Sequence, residues 1–158
     1  MSPTRRSLLL GTLAVGTLDI LDAFIFFGLR SHAKPERILQ SIAAGLLGKA
    51  SFTGGAASAA LGLVLHYFIA FCIVGVYLAA SRRITVLREF PLVFGPLYGL
   101  AAYAVMNYVV IPLSAAGTGK ITIAAAAVLA NGLAIHMLGI GLPAALAARS
   151  ATSGGGTA

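Results

Sequence analysis

The sequence predicts an all-α integral membrane protein: a four-transmembrane-helix bundle with one short interfacial amphipathic helix between spans one and two. Two observations carry most of this. Only 9% of the 158 residues are charged and 59% are apolar, against about 25% charged in a soluble domain. Such a chain cannot cover a water-facing surface in the ordinary way. In addition, four segments, about 7–29, 57–80, 91–113 and 121–147, approach or exceed the ~20 apolar residues that cross a ~30 Å hydrocarbon core. Backbone polar groups in lipid must be satisfied within the segment, so the spans are expected to be helices. Residues 1–149 then form a single bundle, and 150–158, SATSGGGTA, a flexible tail.

Span one, LLLGTLAVGTLDILDAFIFFGL, ends at Arg30 and holds Asp19 and Asp22. A charge at bilayer depth costs about 2.5–3.5 kcal/mol on insertion scales and usually faces a bundle interior or a wet cavity. Three residues apart, the two carboxylates share one helical face, roughly 60° from each other. Upstream, Thr4-Arg5-Arg6-Ser7-Leu8-Leu9 resembles a twin-arginine export address. The apolar region outruns a signal peptide, holds two aspartates and lacks an A-x-A-like site, so a retained first span is expected.

Between spans one and two, Pro35-Glu36-Arg37 opens a segment of about 35–49. It sets Ile38, Leu39, Ile42 and Leu46 against Arg37, Gln40, Ser41 and Lys49, the spacing of an amphipathic helix lying at a membrane surface, the alternative being an ordinary extramembrane helix packed on the bundle. Ser51-Phe52-Thr53-Gly54-Gly55 reads as the turn into span two, which ends at Ser81-Arg82-Arg83. Span three stops at Pro112. Gly117-Thr118-Gly119-Lys120 is read as a loop, because it lacks the glycine spacing and following Ser/Thr of a phosphate-binding loop. In span four, Pro143 is expected to kink or fray the helix.

Charge and motifs exclude several function classes. The net charge of +7 is dispersed at span ends, where it can meet anionic headgroups, so the expected partner is the lipid bilayer and not nucleic acid. Arg5, Arg6, Arg82, Arg83, Arg88 and Arg149 fall on the side of the termini, and Arg30, Lys34, Arg37, Lys49 and Lys120 on the other. The tight double-arginine loop favours cytoplasmic termini in a bacterial inner membrane. No nucleophile elbow, P-loop or H-E-x-x-H is present, so no catalytic residue is assigned and no enzyme is expected. The single cysteine, Cys72, excludes an intramolecular disulfide and a multi-cysteine metal site, and is read as a buried, inert thiol.

The remaining polar residues of the spans lie on stripes of small residues. Span two carries Ser58, Gly62 and His66 at four-residue steps; span three carries Gly95, Gly99, Tyr103 and Asn107; span four carries Asn131, Gly132, His136 and Gly139. Small residues let helix backbones approach, and a polar group on the same stripe then meets a neighbouring helix. Counted from the outer end of each span, Asp19 lies about 10 residues in, Asp22 about 7, His66 about 9, Asn107 about 6 and Asn131 about 10, a layer roughly 6 Å thick at ~1.5 Å per residue. His136 lies about 15 in, nearer the other side.

A carboxylate–histidine layer is chemistry for proton passage or cation binding. Asp19, Asp22 and His66 are therefore the candidate proton- or ion-handling residues, with Asn107, Asn131, His136 and Tyr103 supporting them. A haem ligated by both histidines is disfavoured by their offset of about 6 residues, roughly 9 Å. Zinc on Asp22 and His66 lacks sufficient ligands, and no cofactor or metal is assigned.

Several short motifs carry a family likeness: the early G-T-L-D, PERILQSIAAGLLG, L-H-Y-F-I-A, P-L-Y-G with M-N-Y-V-V-I-P-L, and N-G-L-A-I-H-M. Over residues 55–149 the chain resembles small uncharacterised bacterial inner-membrane proteins of the YagU-like kind. That resemblance implies a small polytopic inner-membrane protein with a part in acid tolerance, and supplies no catalytic residues. Two function classes follow from the residues. One is proton or small-cation handling, for which a conducting form is expected to be a homo-oligomer. The other is a non-catalytic membrane component that assembles through the glycine faces of Gly62, Gly95, Gly99, Gly132 and Gly139. A b-type haem protein is the third and weakest reading.

Overall fold

A computed structural model of the chain describes residues 2–117 and 124–153, and these are helical apart from short joints. Helix α1 spans Pro3–Ser31, α2 Pro35–Leu47, α3 Gly55–Arg83 and α4 Val86–Glu89. Helix α5 runs over Pro91–Leu113, and α6 starts at Ala126 and continues to Ser153. Four of them, α1, α3, α5 and α6, are long and apolar enough to cross a membrane. At most 28% of any span's apolar window is buried inside the chain. Leu13, Ile25, Val64, Phe68, Val76 and Leu92 are among the large apolar side chains left outside.

The ends are set by local chemistry. Pro3 opens α1 with Ser2 as N-cap, its hydroxyl accepting from the Arg5 amide. At the other end His32 takes the left-handed conformation (φ 54°), and its amide and that of Ala33 reach back to Gly28 and Phe27, a Schellman closure. Helices α5 and α6 each contain one widened π-helical stretch, Met106–Val110 and His136–Gly141. Each stretch lies just before a proline, Pro112 or Pro143, whose ring would strike the carbonyl four residues earlier in a regular helix. The wide turn absorbs that conflict, so α6 passes Pro143 and stays helical to Ser153.

Helix α6 is the hub. It packs against α1, α3 and α5, and α1 also packs along α3. Glycines make the α5–α6 crossing close: a methyl on Gly95 would stand 2.9 Å from the Leu142 Cα, and one on Gly141 would overlap the Gly95 carbonyl. Helix α5 does not pack along α3. Instead Tyr98 bridges the gap, its hydroxyl donating to the Ile73 carbonyl at 2.7 Å and its ring meeting Tyr77 edge-on at 4.9 Å. Below that bridge Val15, Val74, Tyr77, Ile140, Ala144 and Ala148 form the packed core near the chain termini. Removing the bridging hydroxyl in Tyr98→Phe is expected to cost about 1 kcal/mol of stability, read by thermal unfolding in nanodiscs; an unchanged midpoint would refute the bridge.

Several expectations change. Helix α2 does not present one apolar face to one neighbour. Gln40, assigned to its polar side, is buried with its amide donating to the Gly55 carbonyl at 3.2 Å, while Leu46, assigned to the apolar side, is 63% exposed. The reason is close approach: Gly62 on α3 admits the α2 backbone, where a methyl would overlap the Leu39 carbonyl, and so small Ala43 and Ala44 turn inward. Cys72 is exposed on the outer face of α3 and not buried; the inward face of its helix is taken by Ala70, Val74 and Tyr77. Helix α6 continues past residue 150, where the flexible tail was expected to begin: Ser150 is helical and its hydroxyl pairs with Ser7 at 3.1 Å, and residues 154–158 lie outside the described residues. Thr118, Gly119 and Lys120, and the start of span four expected at 121, lie outside the described residues.

Candidate functional site

Where α5 stands away from α3, the bundle encloses a cavity of about 430 Å³. Asp19, Asp22, His66, Tyr103, Asn107, Asn131 and His136 all line it, so the candidate site residues and their supporting polar groups meet there. Helix α2 covers the end away from the termini, contributing Ile38, Ser41, Ile42 and Gly45. It is held by the Ala115 amide, which donates to the Gly45 carbonyl at 3.0 Å.

The helix starts and ends explain the grouping. Asp19 lies twelve residues before Ser31, His66 eleven after Gly55, Tyr103 ten before Leu113 and His136 ten after Ala126. These four form one tier. Asp22, Asn107 and Asn131 lie closer to the same ends and form a second. The depth of about 15 residues assigned to His136 was counted from residue 121, and the described helix opens five residues later, at Ala126. His136 therefore stands with the carboxylates and not toward the opposite side.

In the outer tier, the Asn131 amide donates to Asp22 Oδ2 at 2.7 Å, joining α6 to α1. Asn107 turns back on its own helix and donates to the Tyr103 carbonyl at 3.0 Å. In the inner tier both histidines are oriented by backbone carbonyls. His66 Nε2 lies 2.7 Å from the Gly16 carbonyl, and His136 Nδ1 lies 2.8 Å from the Gly132 carbonyl. A carbonyl only accepts, so His66 Nε2 and His136 Nδ1 are the donors in these two contacts. For His66 the free nitrogen is Nδ1, 3.9 Å from Asp19 Oδ2.

At 3.9 Å the two atoms are beyond direct hydrogen-bond length, within reach of a small side-chain shift or one water. His136 meets the Tyr103 ring edge-on at 5.2 Å. Asp19 is the more open of the facing pair, with 30% of its side chain exposed against 10% for His66.

Gly16 is the site residue that the spacing arguments passed over. It lies three positions before Asp19, on the same face of α1, and a methyl there would stand 2.6 Å from the Tyr67 ring. Its carbonyl fixes His66, and Thr17 beside it pairs with the Tyr67 hydroxyl at 2.9 Å. The signal was present in G-T-L-D, where the glycine and the acid share a helical face.

The glycines named for packing act within the chain: Gly62 toward α2, Gly95 and Gly99 toward α6, Gly132 beneath the Tyr103 ring and Gly139 toward Leu18 of α1. Among the described residues no group of three or more His, Cys, Asp or Glu is placed to hold a metal ion. No protein-family model, curated protein or solved structure matches the chain.

Proposed function

We propose that the protein is embedded in a bacterial cytoplasmic membrane with its termini on the cytoplasmic side, and that it handles protons or a small cation through the Asp19–His66 pair. The observation that carries this reading is the orientation of His66. With Nε2 committed to the Gly16 carbonyl, Nδ1 and Asp19 face each other across 3.9 Å with room for one proton between them. A histidine poised beside a carboxyl is the unit from which proton relays are built. His136, oriented by the Gly132 carbonyl and lining the same cavity, supplies a second acceptor on α6. Bilayer embedding is supported by the apolar side chains left outside all four long helices, which water would not tolerate as a continuous surface.

The assembly reading has less support, because the five glycines it relies on are already packed against neighbours in the same chain.

Reconstitution tests the reading. In liposomes loaded with a pH-sensitive dye, wild type is expected to dissipate an imposed proton gradient, and Asp19→Asn to do so at least about 100-fold more slowly, in the range of a lost acid–base group. Folding of the variant is checked by its unfolding midpoint. A wild type that moves no protons under any imposed ion gradient defeats the proposal.

A further inference from the structure

Resting on that reading of the site, we infer that the cavity takes an organic cation, an ammonium group carrying an apolar body, with the head on Asp19 and the body beneath α2. Charge, size and wall chemistry lead to this. Among the described residues lining the cavity there are two carboxylates and no lysine or arginine. A buried carboxylate without a cation is costly, and the Asn131 amide satisfies Asp22 without neutralising it. His66 and His136 are the lining groups able to carry positive charge, and His66 Nδ1 stands 3.9 Å from Asp19, beyond direct hydrogen-bond length, so an external cation seated on Asp19 would make the closer contact.

Size separates the candidates. A proton needs one water or none between Asp19 and His66, whereas about 430 Å³ has room for on the order of ten water molecules. That volume is within the ~300–1,000 Å³ range of small-molecule sites. A hard inorganic cation needs a cage of oxygen ligands. Asp22 is already bonded to Asn131, and Asn107 is turned onto its own helix. Toward α2 the lining includes Phe27, Ile38, Ile42 and Val110, and the Ser41 and Ser114 hydroxyls there are turned onto the Ile38 and Ile111 carbonyls. Those side chains offer nothing to a hydrated ion and a good surface to a hydrocarbon or aryl group. Asp19 is the acid left free for the head, since no direct hydrogen bond holds it and nearly a third of its side chain faces open space.

Charge balance then ties the two activities together. An ammonium seated on Asp19 removes the need for the proton in the Asp19–His66 gap, so one cation enters and one proton leaves. The proton departs as a free ion to solvent, and the net charge of the site is unchanged.

Benzyltrimethylammonium is the probe, titrated by calorimetry into the full-length protein in phosphatidylglycerol nanodiscs, with benzenesulfonate as the anionic control. Saturable binding of the cation alone is expected, with release of about one proton per cation read from buffers of different ionisation enthalpy. Asp19→Asn should weaken it roughly 30-fold or more, the scale of a lost desolvated charge partner. Ile42→Trp, which fills the apolar end and leaves the charge intact, should weaken the benzyl compound and spare tetramethylammonium. Equal binding by wild type and Asp19→Asn, binding of benzenesulfonate, or indifference to Ile42→Trp overturns the inference. Phosphatidylglycerol carries no ammonium, and abolition of binding by added ethanolamine headgroups would assign the site to lipid and overturn the free cation. Proton flux without saturable cation binding likewise overturns this inference while leaving the relay standing; cation binding without flux upholds the site and removes the relay.

Discussion

A single methyl group placed on Gly99 is expected to cost about 3 kcal/mol or more of stability, the upper end of overpacking penalties. The added carbon would overlap the His136 carbonyl oxygen, lie 2.5 Å from the carbonyl carbon and 2.8 Å from the Met137 Cα. All three atoms belong to backbone, so no side chain can rotate away, and α5 and α6 must separate. Separation also displaces Tyr103 and His136, which meet across the same crossing. Gly99→Ala should therefore lower the unfolding midpoint sharply and reduce proton flux. Gly75→Ala is the control: its nearest outside atom, Leu8 Cδ1, is 3.9 Å away, and a change within about 1 kcal/mol is expected there. Equal midpoints for the two variants would show that the α5–α6 contact is looser than described.

The second large effect concerns Asp22. Asn131→Leu removes its donor and leaves a part-buried carboxylate facing an apolar neighbour, with an expected loss of about 2–3 kcal/mol. Adding Asp22→Leu to that variant deletes the orphan as well, and the double variant should recover more than half of the loss. A coupling of this sign distinguishes a real pair from two independent polar residues. Simple addition of the two single-variant losses would mean that Asp22 draws its support from elsewhere.

The long helices could be read from hydropathy because length and apolarity are properties of each segment alone. Residues 91–113 were placed to the residue, since Pro91 and Pro112 punctuate both ends. The meeting of Asp19, Asp22, His66, Asn107 and Asn131 could be anticipated because depth accumulates at a fixed rise per residue from a known end. The same counting misplaced His136, whose helix is described only from Ala126. Features that depend on a partner were out of reach. Gln40 turns inward because the bare backbone of Gly62 admits α2, and no periodicity within residues 35–47 encodes that. Cys72 belongs to a helix apolar on every side, so its own sequence could not say which side meets Ala70 and Val74's neighbours and which faces outward. The carbonyl of Gly16 was invisible because backbone acceptors are common to all residues, and only the folded chain selects one.

The bond between Asp22 and Asn131 spans 109 residues of chain, and in the membrane reading this has a consequence for biosynthesis. At ~5–20 residues per second, the ribosome takes about 5–20 s to make Asn131 after Asp22. During that interval the nascent first helix carries two acids in its apolar stretch, each opposing lipid entry by about 2.5–3.5 kcal/mol. His66 arrives first and can serve Asp19; Asp22 waits for the last helix. In that reading a chain interrupted before α6 keeps Asp22 without its Asn131 donor.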